Sequence, residues 1–164
     1  MWFQLRSVEM DFLEDAPRVH VVESEVGLPR EVVWRAFADA TTWPHWFPNV
    51  HSASYLGEAP FGVGTTRISH VGTFHFEETM LAWEEGRRWA YRIDRCTFPL
   101  ARAQLECTDL EDCGRGTRVR WTLALQPGLV LRLTAPLFEG TVQRLLDRAL
   151  GRLEAYSAHS PSAR

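Results

Sequence analysis

Two hydrophobic periods divide this chain. Between residues 50 and 125 apolar side chains recur mostly at every second position, whereas from 129 to 156 they recur at every third or fourth. The second pattern predicts a long helix over Leu129–Tyr156. Phe138, Val142, Leu145, Ala149, Leu153 and Tyr156 form one stripe, widened by Leu146 and Leu150, while Arg144, Asp147, Arg148, Arg152 and Glu154 fall mostly opposite. The period-two pattern predicts six strands over Ser52–Leu56, Thr65–Val71, Thr73–Trp83, Arg88–Arg95, Leu100–Asp109 and Gly116–Leu125, and Val19–Val26 alternates as a seventh. Turn chemistry at Gly72, Glu84-Glu85-Gly86, Phe98-Pro99 and Asp112-Cys113-Gly114 joins the later strands tightly, so neighbours must run antiparallel.

Between the first two strands, Pro29 opens a short helix through Phe37, with Val33, Ala36 and Phe37 on one face. Asp39–Thr42 then offers cap side chains for a second short helix that carries Trp43, Trp46 and Phe47 and stops at Pro48-Asn49. A lone helix cannot cover its own apolar stripe. The strand faces Phe74/Phe76/Met80, Trp89/Tyr91/Ile93 and Val119/Trp121/Leu123 are its large partner. The expected fold is therefore α+β: a seven-stranded curled antiparallel sheet gripping the long C-terminal helix, with two short helices after the first strand. Residues 18–157 form this domain. Residues 1–17 are an extension in which Val8, Met10 and Phe12 alternate as a short extra strand, and residues 158–164 are expected to be a disordered tail.

Composition narrows the function. A net charge of −3 argues against a general nucleic-acid binder. No apolar run approaches the roughly 20 residues that span a bilayer. The acidic N-terminal stretch has no apolar signal core, and Cys96, Cys107 and Cys113 are odd in number without paired metal spacing. Reduced thiols in a cytoplasmic protein are the expectation, with Cys107 packed inertly on the core face beside Ala103 and Leu105. Monomer and homodimer both remain open. Seven Trp and nine Phe are a rich aromatic allotment for 164 residues, more than a plain core of this size calls for.

Glu78 carries the first candidate chemistry. It falls in register with Phe74, Phe76 and Met80 and so points inward, where a carboxylate must be paired, hydrogen-bonded or protonated. It is either a catalytic acid/base or half of a structural pair with an Arg. His70, expected on the inner strand face with Thr66 and Ile68, is its candidate proton-transfer partner. His45, His51, His70 and His75 lack the spacing of a metal triad, so no metal is assigned. The expected ligand-lining set is Trp46, Phe47, Tyr55, Phe74, Phe76, Met80, Trp89, Tyr91, Trp121, Phe138 and Val142, with Trp43 beside them. Tyr55 and Tyr91 would aim hydroxyls at a ligand oxygen.

The stretch Val26–Val50, with Pro29, Val33-Trp34, Asp39, Trp43, Trp46, Pro48 and Val50, resembles the opening signature of the START-like, Bet v 1-type superfamily (SRPBCC). Its bacterial members are described as polyketide cyclase/dehydrase-like or coenzyme Q-binding-like proteins. Gly62-Val63-Gly64, the segment Trp83–Tyr91 and the final helix continue the match over residues 18 to 157. The chain departs from the family at Glu85-Gly86, where two prolines are common, and in residues 1–17. The resemblance implies a cavity between sheet and helix, no cofactor, and a hydrophobic ligand that is aromatic, polyketide-like or isoprenoid-like. Three functions stay open: binding alone; a polyketide cyclase/dehydratase in which Glu78, with His70 or Tyr91, supplies acid/base help; and a protein-interaction module, which would need an exposed apolar patch that the sequence does not display.

Overall fold

The computed structural model describes residues 1–98, 101–129 and 139–159. A two-residue strand β1 (Phe3–Gln4) and a single helical turn α1 (Phe12–Asp15) come first. Then β2 (Arg18–Val26) leads into α2 (Arg30–Ala38), a 3-10 turn over Ala40–Thr42 and α3 (Trp43–Trp46). Strands β3 (Val50–Tyr55), β4 (Thr66–Val71), β5 (Phe74–Glu84), β6 (Arg88–Cys96), β7 (Ala101–Cys113) and β8 (Gly116–Pro127) follow, and α4 (Glu139–His159) is the last element described. The α2–α3 junction is built as the sequence suggests: Asp39 Oδ1 accepts from the Thr41 N–H at 3.0 Å and caps the 3-10 turn.

Among the described residues one antiparallel sheet runs in the order β2-β8-β7-β6-β5-β4-β3, and β1 pairs with β6. Consecutive hairpins generate the path β3 to β8; only β2 crosses, carried from one edge to the other by α2 and α3. The helix α4 lies in the curl. Val142, Leu146, Ala149, Leu150 and Leu153 bury its stripe against the inner faces, and it packs on β2, α2 and α3. Its polar side pins the β2 edge: Gln143 donates to the Glu23 carbonyl at 3.0 Å, and the Gly27 N–H donates to Glu154 at 2.5 Å.

Two expectations about strand faces are corrected. Ala103, Leu105 and Cys107 are buried, but not towards α4. They face the outside of the sheet, where with Ala82, Ala90 and Ala124 they form a second, smaller core under Val8 and Phe12. Residues 8–12 are therefore not a strand; they are a strap across the outer face. The strand is instead at Phe3–Gln4, paired with Cys96 and Arg95. It enters where β6 and β7 part company. Their ladder ends at Arg92 and Leu105, and beyond it the Leu5 N–H donates to the Asp94 carbonyl while the Arg6 N–H donates to the Arg102 carbonyl, each at 2.8 Å. Residues 3–6 thus close a split in the wall of the curl.

The second correction concerns β4. The turn at Gly72-Thr73, with Gly72 at φ 59°, sets Val71 opposite Phe74 and hence Arg67 opposite Glu78. Directly opposed residues share a face, so Arg67, Ser69 and Val71 point inward with Glu78 and Phe76. Thr66, Ile68 and His70 point out. His70 stacks on His75 at 4.1 Å between ring centroids and lies 4.9 Å from His51, on the outer surface. Partial burial, and then the His75 and His51 rings, hold its pKa below the ordinary value.

Two outcomes follow. Phe12→Ala should cost about 3 kcal/mol in chemical denaturation, because it opens the outer core. A depressed histidine pKa makes the folded state prefer the neutral ring. Its stability contribution is therefore complete above the unfolded value of 6.5 and is lost as pH falls through the lower folded value. Melting of His70→Asn should consequently fall less steeply with acidification than melting of the native chain.

Candidate functional site

Between the sheet and α4 lies a hollow of about 230 Å³. Apolar side chains make most of its wall: Trp43 and Phe47 from α3 and its end, Val50 and Ala53 from β3, Val71 and Phe76 from β4 and β5, Ile93, Trp121 and Leu123 from β6 and β8, and Val142 and Leu145 from α4. Of the expected lining residues, Phe47, Phe76, Tyr91, Trp121 and Val142 stand at this wall. Trp46, Met80 and Trp89 are fully buried in the packed core instead. Tyr55 packs against Phe61 and Trp83, and Phe74 against Phe98, away from the hollow. Phe138 lies outside the described residues. Thr141 is at the wall.

The polar groups are few and buried. Arg67 (2% exposed) donates from Nε to Glu78 Oε2 at 2.5 Å, and Ser69 Oγ donates to Glu78 Oε1 at 2.8 Å; Glu78 itself is 3% exposed. The Arg67 guanidinium is also enclosed by rings, 4.6 Å from the Trp43 centroid and 4.7 Å from those of Trp89 and Tyr91. Burial works against its charge, but the Glu78 carboxylate, with Tyr91 and Tyr55 behind it, holds the guanidinium firmly protonated. Glu78 is thus the structural partner of an Arg, the alternative to a free catalytic carboxylate, and both its oxygens are occupied. His70 is on the far side of the sheet. The pair expected to move a proton is not brought together.

A second carboxylate does face the hollow, and the sequence reading passed over it. Glu106, 8% exposed, sits on β7 between Leu105 and Cys107. Its Oε2 accepts from the Tyr91 hydroxyl at 2.5 Å and from Trp121 Nε1 at 3.1 Å, and its Oε1 accepts from Gln104 Nε2 at 2.7 Å. Burial pushes the Glu106 carboxyl up, against the pull of Tyr91 and Gln104. Tyr91 is raised well above the ordinary phenol by burial and then by Glu106, so its hydroxyl stays a donor. Burial likewise pushes Tyr55 up to about 12. Glu106 was missed because β7 is covered on both faces. Ala103, Leu105 and Cys107 belong to the outer core, which turns Gln104, Glu106 and Thr108 to the inner face. The usable signal was parity: Trp121 and Leu123 face inward, and the β7–β8 ladder sets Glu106 opposite Leu123.

Chemically, the arrangement is an oily chamber with one internally neutralised ion pair and one hydrogen-bonded carboxyl. Among the described residues no group of three or more His, Cys, Asp or Glu could hold a metal ion, and no helix is long and apolar enough to cross a membrane.

Comparison with known proteins agrees with this architecture. Residues 18–158 match the family described as polyketide cyclase / dehydrase and lipid transport. The uncharacterized protein Rv2574 of Mycobacterium tuberculosis is 27% identical over 151 residues, covering 92% of this chain and 90% of its own length. The fold superposes on Ara h 8.0201 with a TM-score of 0.66 at 17% identity, covering 85% of this chain and 96% of that one. It also superposes on a START superfamily protein from Mycobacterium smegmatis with a TM-score of 0.60 at 16% identity, covering 85% and 94%. The chain belongs to the polyketide cyclase / dehydrase and lipid transport family, on the START-like, Bet v 1-type helix-grip fold.

Proposed function

We propose that this protein binds a hydrophobic small molecule, aromatic, polyketide-like or isoprenoid-like, in the hollow between the sheet and α4. One observation carries the proposal. A chamber of about 230 Å³ walled by Trp43, Phe47, Phe76, Trp121, Leu123 and Val142 is apolar and furnished with only a few polar groups, which is the composition of a small-molecule site. Membership of a family described as polyketide cyclase / dehydrase and lipid transport points the same way.

A cyclase or dehydratase is the second reading, and Glu106 is what favours it. A buried carboxyl of raised pKa at the wall is the kind of group that lends or takes a proton. Glu78 is poorly suited, because Arg67 and Ser69 hold it. A protein-interaction module has less behind it: on β2, Val19 and Val21 are exposed, but the other large exposed apolar residues described are spread over the chain.

Filling the chamber tests the main reading. Val142→Trp should weaken binding of the neutral fluorophore N-phenyl-1-naphthylamine by about tenfold or more, and native mass spectrometry should show the unaltered protein, but not the variant, retaining small hydrophobic molecules from its host. Undiminished dye binding by a folded Val142→Trp protein would place the ligand elsewhere. The role of Glu78 separates by stability. Glu78→Gln leaves Arg67 buried without its counter-charge and should cost about 3–5 kcal/mol in denaturant unfolding, whereas the double change Arg67→Met with Glu78→Leu should recover most of that loss. A Glu78→Gln protein of native stability would free this carboxylate for a catalytic role.

A further inference from the structure

We propose that the hollow selects a neutral ligand bearing a hydroxyl or carbonyl oxygen, docked at Glu106 and Gln104, and that it excludes carboxylates such as fatty-acid anions. The inference rests on the hydrophobic-ligand reading and adds the chemical class. Among the described residues three acidic or basic side chains wall the chamber beside the phenol of Tyr91: one guanidinium, Arg67, and two carboxyls, Glu78 and Glu106. Arg67 is at first sight an anchor for an acid. Its charge, however, is already matched by Glu78 across the hairpin at 2.5 Å, and Ser69 completes the shell of that carboxylate.

Among the described residues Glu106 has no counterion at hydrogen-bond distance; its partners are Tyr91, Trp121 and Gln104, all neutral donors. Among the described residues the chamber wall therefore carries one more acidic group than basic. A ligand carboxylate would be stripped of water and set among these groups, with like charges facing one another in a low-dielectric space. A phenol, alcohol or ketone escapes that cost. With two donors on Oε2 and one on Oε1, Glu106 has its remaining hydrogen-bonding capacity on Oε1, beside Gln104. An ionised Oε1 accepts from a ligand hydroxyl, and a protonated one donates to a ligand carbonyl. Arg67 Nη1, buried and without a hydrogen-bond partner among the described residues, offers a second donor to a ligand oxygen. Burial raises the Glu106 carboxyl and the Glu78 charge adds to the rise, while the Tyr91 and Gln104 hydrogen bonds and the Arg67 charge oppose it.

Three naphthalenes of nearly equal size test this: 2-naphthol, 2-naphthoate and naphthalene, titrated into the native protein near neutral pH by calorimetry or ligand fluorescence. The expected result is that 2-naphthol binds more tightly than 2-naphthoate by about tenfold or more, with naphthalene weaker than 2-naphthol. In Glu106→Gln, which keeps the shape and removes the acid, 2-naphthoate should gain relative to 2-naphthol. Thermal melting verifies that the variant is folded, and the native-protein ratio decides the matter where it is not. Equal or tighter binding of 2-naphthoate by the native protein overturns the selectivity while leaving hydrophobic binding intact. Failure of all three to bind overturns both this inference and the reading beneath it.

Discussion

A hollow inside a protein is unfavourable, since its lining forfeits contacts that a collapsed core would make. The feature that keeps this one from collapsing is the Arg67–Glu78 pair beneath α4. Two opposed residues of one hairpin carry it, so its position follows from a two-residue turn and needs no distant loop. Trp43, Trp89 and Tyr91 close on the guanidinium, which fixes Trp43 and Tyr91 at the chamber wall. Once those rings are committed to a cation they cannot rotate inward to fill the space above them. The pair is costly to bury and costlier to break. It therefore acts as a rigid floor, while Val142 and Leu145 of α4 serve as the roof.

That floor needs a stiff sheet behind it. β6 and β7 diverge beyond Arg92 and Leu105, on the strands that bear Ile93 and Gln104 of the chamber wall. Residues 3–6 bridge the divergence by backbone hydrogen bonds to both strands, and Val8 and Phe12 then cover the outer face of β7. The strap explains an oddity of composition. β7 reads as apolar at Ala103, Leu105 and Cys107 although its inner face is polar, because it has a core on each side. An ordinary one-faced antiparallel strand would show its polar residues to water; here the polar residues are the ones that meet the ligand chamber.

Order and type of the elements were legible from periodicity: six strands after two short helices, then a stripe at helical spacing. Which face each strand turns inward was less so, and the misses are specific. On β4 the two faces, Thr66/Ile68/His70 and Arg67/Ser69/Val71, are equally mixed, so hydrophobicity does not choose between them. Hairpin arithmetic does. Glu78 was already placed inward, and a Gly72-Thr73 turn puts Arg67 directly across from it; carrying the register one step further would have found the ion pair and moved His70 outside. On β7 the apolar face was identified and assigned to the wrong core, because nothing in residues 1–17 announced that they would lie across the sheet. Trp46, Met80 and Trp89 illustrate another limit. Inward direction and cavity contact are different properties, and only packing distinguishes them.

These misplacements share a consequence for function. Glu78 was the conspicuous acid because its neighbours are apolar, yet a charge set among apolar neighbours must find a partner, and it has one. Glu106 was inconspicuous because its sequence neighbours are ordinary for a two-faced strand. Its partners, a phenol, an indole and an amide, are neutral donors that leave capacity on Oε1. A carboxyl in that condition remains responsive to whatever enters the chamber, whereas one locked to a guanidinium does not. Within this fold, then, the acid held by a guanidinium and the acid held by neutral donors are separate residues on separate strands.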